Sequence, residues 1–120
     1  MVKKQKQPLG KKVFDKKIFF KRYDGKSEMA HTTLMSFLKN APLMIEEIKD
    51  ACSEKDYEYL YICGHTLMSA SENLSAESMK DIGFDIQIAG KSRRIKEIKP
   101  LIKKLEIEFE KLRNLSSKII

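Results

Sequence analysis

Tryptophan is absent from this chain, and its 120 residues hold only five glycines, three prolines and two cysteines. So few turn-formers argue against a β fold built of short strands. Cys52 and Cys63 are too few for a disulfide framework, which points to reduced thiols and a cytoplasmic setting. No apolar run approaches the roughly 18 residues that a membrane span needs, so no membrane partner is expected. The basic N-terminus lacks a following apolar region, which excludes a secretory signal. There is also no Gly-rich phosphate cradle, so intrinsic ATP-dependent kinase activity is not expected. The only two histidines are His31 and His65, and no Ser/His/Asp constellation follows from them.

What is present is a helical pattern. Hydrophobic residues make up 42% of the chain and charged residues 34%, as in amphipathic helices with solvated outer faces. The length suits one domain with one core. Much of the formal charge of +7 sits in Lys3, Lys4, Lys6, Lys11, Lys12, Lys16 and Lys17. Residues 1–12 therefore read as a flexible basic tail, and residues 13–120 as the folded domain.

Taken in order, Asp15 is a candidate N-cap for a short helix with Ile18, Phe19 and Tyr23 turned inward. Asp24 and Gly25 end it by turn chemistry. Ser27 can cap a second helix whose apolar face includes Met29, Leu34, Phe37, Leu38, Leu43, Ile45 and Ile48. Pro42 predicts a kink or break near Asn40 and Ala41. A polar connection over residues 53–56 leads to a third helix from about Asp56 to Asn73. Ser75 is a candidate cap for the fourth, with Met79, Ile82, Phe84, Ile86 and Ala89 apolar and Gly90 as a stop. From Arg93 onward, Ile95, Ile98, Leu101, Ile102, Leu105, Phe109, Leu112 and Leu115 recur every three or four residues, perturbed only by Pro100. The short connections predict an all-α, antiparallel up-down four-helix bundle with a short extra N-terminal helix.

On the third helix, Leu60, Cys63, Leu67, Ala70 and Leu74 define one buried stripe. At about 100° per residue, His65 falls roughly 180° from its centre. A lone helical histidine is most often an ordinary surface residue, but the residues around this one form a pattern. His65, Thr66 and Leu67, followed by Ser71, Asn73, Leu74, Ala76 and Glu77, closely resemble the active-site segment of histidine-containing phosphotransfer (HPt) domains. The resemblance spans about residues 13–117. It takes in Val13 to Asp15, Tyr23 to Gly25, Phe37 to Pro42 with its Ala-Pro pair, and Leu105, Glu106 and Phe109. It favours one long, slightly disturbed second helix over a broken one. Met68 stands where the family has Lys, and Ser69 and Ser75 where it has Gly.

The resemblance implies that His65 is a phosphoacceptor, exchanging a phosphoryl group with an aspartate of a response-regulator receiver domain. Neutral imidazole is a competent nucleophile near pH 7, and phosphoryl transfer asks mainly for positioning and charge stabilisation. No cofactor or metal is implied here, since Mg2+ is expected only on the receiver. Gln87 is similar to the family's residue that orients the histidine. Lys91, on the same helical face, is the candidate for the charge that Met68 cannot supply, and Ser69 is small enough to admit the partner. Tyr61, Ile62, Met68 and Glu72 are the candidate docking residues. The implied partners are a receiver domain and a sensor histidine kinase, met by a monomer. The initiating Met and the basic tail favour a free-standing relay.

Two other readings fit the residues. A degenerate HPt-like adaptor binds a receiver or kinase without efficient transfer. A basic helical protein binds nucleic acid through the N-terminal arm, although its aromatics, Phe14, Phe19 and Phe20, suit a core-facing helix better. Weaker candidates lead nowhere. Cys63 and His65 at i, i+2 diverge around a helix and do not share a metal. Glu58 and Glu72 read as rim charges, and Met29, Met35, Met44 and Met79 as packing residues.

Overall fold

A computed structural model describes residues 12–24 and 26–118. The tail expected over residues 1–12 thus lies, except for Lys12, outside the described residues. Five helices follow in order: α1 (Lys16–Arg22), α2 (Ser27–Ser53), α3 (Tyr57–Asn73), α4 (Glu77–Lys91) and α5 (Ile95–Ser117). The described residues contain no strand.

Local chemistry explains most boundaries. The Asp15 carboxylate accepts a hydrogen bond from the Ile18 amide at 3.1 Å, so it caps α1 as expected. Asp56 does the same for α3 through the Tyr59 amide at 3.1 Å. Each satisfies a helix-end donor that would otherwise lack a partner. The two serine caps are not formed. Lys26 occupies the N-cap position of α2 and Ala76 that of α4, both without a side-chain bond. Ser75 instead sits in the turn with φ of 58°, and its hydroxyl is buried without a partner.

Pro42 does not break α2, which runs unbroken from Ser27 to Ser53. Its missing amide removes one intrahelical bond, while Ala41, Ile45 and Ile48 keep that stretch anchored in the core. Pro100 is likewise contained within α5.

Helices α2, α3, α4 and α5 form a closed square, each packed on its chain neighbours, with α5 returning against α2. Leu34, Ile48, Leu60, Leu67, Met79, Ile86, Ile98, Leu105 and Leu112 fill the centre and are almost wholly buried. Each such side chain contributes about 1.5–3 kcal/mol relative to remaining in water. The N-terminal segment closes one end of the square. The Asp15 amide donates to the Ser75 carbonyl at 3.0 Å, and the Ser78 amide donates to the Lys12 carbonyl at 2.9 Å. Phe19 packs against Phe14, Phe20 and Tyr23, with ring centroids 5.2–5.3 Å apart.

Several expected core residues face solvent. Phe84 is 48% exposed and Leu43 65%, because each lies two residues, or about 200°, from the buried residues flanking it. Ile82 and Ile86 take the core positions around Phe84, and Ala41 and Ile45 those around Leu43. Ile18, Met29 and Leu115 are exposed as well, one position off the buried Phe19, Ala30 and Ser116.

Candidate functional site

The site is built on an unusually close approach between α3 and α4. A Cβ placed on Gly64 would stand 2.5 Å from the Gln87 amide nitrogen and 2.7 Å from the Gly83 carbonyl oxygen. One on Gly83 would stand 2.7 Å from the Met68 nitrogen, and one on Gly90 2.9 Å from the Tyr61 nitrogen. Partner numbers fall along α4 as they rise along α3, so the helices are antiparallel. Glycine is required here because backbone meets backbone, with no room for even a methyl group. Gly90 is therefore not a helix stop. It lies inside α4, which ends at Lys91 and turns through Arg93 with φ of 56°.

This seam sets where His65 points. The buried residues of α3 include Gly64 and Ser71, whereas Ala70 is only partly buried. The buried stripe is thereby rotated roughly 30° toward α4. His65 remains exposed, on the outer face of α3 and displaced toward the α4 side. The residue before it, Gly64, abuts the backbone of Gln87. The structure thus brings Gln87 to the level of the histidine. The orienting hydrogen bond is not made, however: the Gln87 Oε1 is buried and has no partner. The Thr66 hydroxyl donates to the Ile62 carbonyl at 3.0 Å.

The remaining sequence candidates fall on the same side of the bundle. Ser69 and Ile62 are exposed, Tyr61 is 38% exposed, and Met68 is half-buried against Gly83. Glu72 is pinned rather than free. Its carboxylate lies 3.8 Å from the Lys80 Nζ, and its carbonyl accepts from the Arg22 guanidinium at 3.1 Å. Lys91 is exposed without an ion pair among the described residues, and its neighbour Gly90 abuts Tyr57, Leu60 and Tyr61. Lys91 therefore leaves α4 about one turn below His65, while Met68 lies one turn above.

Phe84 is the residue that sequence reasoning missed. Its ring is exposed on α4, where it and Ile88, one turn further on, line the groove toward α5. The i+2 spacing from Ile82 was the available signal. Cys63, in contrast, points inward. Burial pushes its thiol up from the ordinary value, partly opposed by a hydrogen bond with Tyr59. His31 is exposed on α2, away from this face. No group of three or more His, Cys, Asp or Glu among the described residues could hold a metal. No described helix is long and apolar enough to cross a membrane.

Two crystal structures are similar over nearly the whole chain. One is histidine-containing phosphotransfer protein B (HptB) from Pseudomonas aeruginosa PAO1, with a TM-score of 0.83 at 16% identity, covering 88% of this chain and 92% of that one. This is the HPt fold. The other is the HPT domain of the Hpt sensor hybrid histidine kinase from Shewanella, with a TM-score of 0.75 at 20% identity, covering 89% and 92%. No protein-family model matches the sequence, and no curated protein sequence matches it either.

Proposed function

We propose that this protein is a phosphohistidine carrier in a two-component phosphorelay, with His65 as the phosphoacceptor. The observation that carries this reading is an exposed imidazole on the outer face of α3, within an HPt fold. In the transfer step, the lone pair of the unprotonated ring nitrogen attacks phosphorus of a receiver's aspartyl phosphate. An N–P bond forms, the acyl P–O bond breaks, and the electron pair returns to the aspartate carboxylate. Phosphohistidine retains a high transfer potential, so the step is reversible and asks for positioning rather than a deep pocket. Tyr61, Ile62 and Met68 supply an apolar docking surface, and Lys91 supplies the nearest unpaired cation on α4. The partners are a receiver domain, which brings its own Mg2+, and a sensor histidine kinase. The carrier acts as a cytoplasmic monomer.

The test is incubation of wild type and His65→Gln with phosphorylated receiver domains from the same organism. Wild type is expected to gain an acid-labile, base-stable phosphoryl group, and the variant none, with unchanged melting temperature and receiver binding. A second reading has its own support. Met68 offers no charge and the Gln87 Oε1 makes no bond, which favours an adaptor that binds a receiver without accepting phosphate. Binding by both proteins with phosphorylation of neither would decide for the adaptor.

A further inference from the structure

A second feature lies on the opposite side of the square, in the groove between α2 and α5. A cavity of about 480 Å3 opens there, between the last turn of α2 and the first two turns of α5. Its charged lining consists of Lys49, Lys55, Lys96 and Lys99, with no carboxylate. Three other hollows on this protein mix the two signs. Lys80 and Arg22 face Glu72 and Glu77 in one; Lys49 and Arg113 face Glu46, Glu106 and Glu110 in another; Arg94, Lys104 and Lys96, which borders both grooves, face Asp85 and Glu97 in the third. The α2–α5 cavity differs from these three in having no carboxylate in its lining.

The arrangement is electrostatically unfavourable as it stands. The N-terminal end of a helix carries roughly half a positive charge, and α5 begins with Arg93, Arg94, Lys96 and Lys99 around that end. The first turn holds one acid, Glu97, which lies 3.6 Å from the Arg94 guanidinium. Lys49 is satisfied, 2.6 Å from the Glu106 carboxylate and 3.6 Å from that of Glu46. Lys55, held in a left-handed turn with φ of 55°, has no ion pair among the described residues, and neither do Lys96 and Lys99. Three lysines without ion pairs among the described residues thus border a hollow that Cys52, Ile95 and Ile102 also line. A bound anion would remove the repulsion.

We propose that this cavity binds a small oligophosphate anion, of the size and charge of a nucleoside triphosphate. The volume falls in the range of about 300–1,000 Å3 typical of small-molecule sites. Three unpaired cations exceed what one carboxylate can neutralise, and they suit a chain of phosphates. The apolar floor receives the uncharged part of the ligand. The protein's own basic tail and a second basic copy carry the wrong charge to fill the site. Because α2–α5 faces away from α3–α4, occupancy leaves the His65 face open, and the proposal stands independently of phosphotransfer.

The experiment titrates the full chain with sodium tripolyphosphate and with ATP, without divalent metal, following amide resonances and melting temperature. Saturable shifts are expected at Cys52, Ser53, Lys55 and the first turns of α5, with ATP tighter than tripolyphosphate where the floor contributes. The double variant Lys96→Gln/Lys99→Gln is expected to bind at least about tenfold more weakly, since two charge-assisted contacts are lost. It should also melt above wild type in the absence of anion, because the repulsion is gone. A purely structural role for these lysines predicts the reverse. Lys3→Gln/Lys4→Gln/Lys6→Gln controls for attraction by net charge and should leave affinity within about twofold, as none of the three lines the cavity. The proposal is overturned if neither probe binds, if shifts spread over the surface, or if the tail variant loses as much affinity as the cavity variant. It is also overturned if single-stranded oligonucleotide binds more tightly through residues outside the cavity.

Discussion

The two faces of this bundle are assembled by opposite means. Between α3 and α4, side chains are removed until backbones touch: Gly64, Gly83 and Gly90 each face main-chain atoms of the other helix. Between α2 and α5, long side chains bridge a wider groove, as Lys49 does in reaching Glu106, and hollows remain beside them. Main-chain contact leaves few degrees of freedom, so the first face suits the precise presentation of a reactive group. The second is adjustable, because lysine and glutamate change rotamer at little cost on an exposed surface. A rigid face carrying His65 and a soft face carrying lysines thus lie on opposite sides of one small core.

The sharpest way to break the comparison is to add a methyl group to the α3–α4 seam and, as a control, to trim an outward side chain of α2. Gly83→Ala should cost about 3 kcal/mol, since overpacking against the Met68 backbone outweighs the roughly 1 kcal/mol gain in helix propensity. Leu43→Ala, on the outer surface of α2, should change stability by less than about 0.5 kcal/mol. Denaturant unfolding measures both; near-equal values would show that the α3–α4 seam relaxes freely. If His65 is the phosphoacceptor, Gly83→Ala should also slow its phosphorylation, whereas Leu43→Ala should not.

A smaller effect of opposite sign tests whether the two faces share a core of equal quality. Ser71 on α3 and Ser116 on α5 are both wholly buried, with hydroxyls that lack partners. Ser71→Ala and Ser116→Ala should each stabilise the fold by about 1 kcal/mol, because an unsatisfied buried hydroxyl is removed. A destabilising result at Ser71 alone would mark a polar requirement specific to the seam beneath His65.

The smallest effect lies in the α4–α5 groove, between the two faces. Burial, followed by repulsion from Asp81, holds the Asp85 carboxyl above its ordinary value of 3.8, while Lys104 partly offsets this. The folded protein therefore binds this proton more readily than the unfolded chain, so stability declines as pH rises through the carboxylate range. Asp85→Asn should flatten that decline above pH 3.8 and leave stability below it unchanged. Urea midpoints at a series of pH values measure the difference.

How much of this was written in the residues depends on the scale of the contact. The helices and the outward position of His65 follow from spacing alone, because burial of Leu60, Leu67 and Leu74 fixes the rotation of α3 within a few tens of degrees. Caps given by a carboxylate one residue before the helix are legible in part: the pattern marks Asp15 as a cap, but it starts α3 at Asp56, which is itself the cap. Ser27 and Ser75 were misleading, since a serine near a helix start caps it only if the chain enters at the right angle. Gly90 resembled a terminator because glycine serves both left-handed turns and close helix contacts, and only a partner's position separates the two. Gly83 and Gly90, seven residues apart on one face of α4, carried that information. The Gln87–His65 bond expected from the resemblance depends on side-chain torsions, which no sequence pattern specifies.

The stitch between α1 and the α3–α4 turn also has a consequence for how the chain is made. Arg22 and Glu72 are 50 residues apart in sequence, and Asp15 and Lys12 likewise wait for Ser75 and Ser78. At synthesis rates of about 5–20 residues per second, the aromatic cluster of Phe14, Phe19, Phe20 and Tyr23 emerges roughly 2–10 s before its docking surface exists. During that interval the most aromatic segment of the protein is uncovered on the ribosome. The segment from Lys12 to Tyr23 is thus translated well before the turn it docks on. A holding chaperone that grips aromatic-rich segments would meet it there.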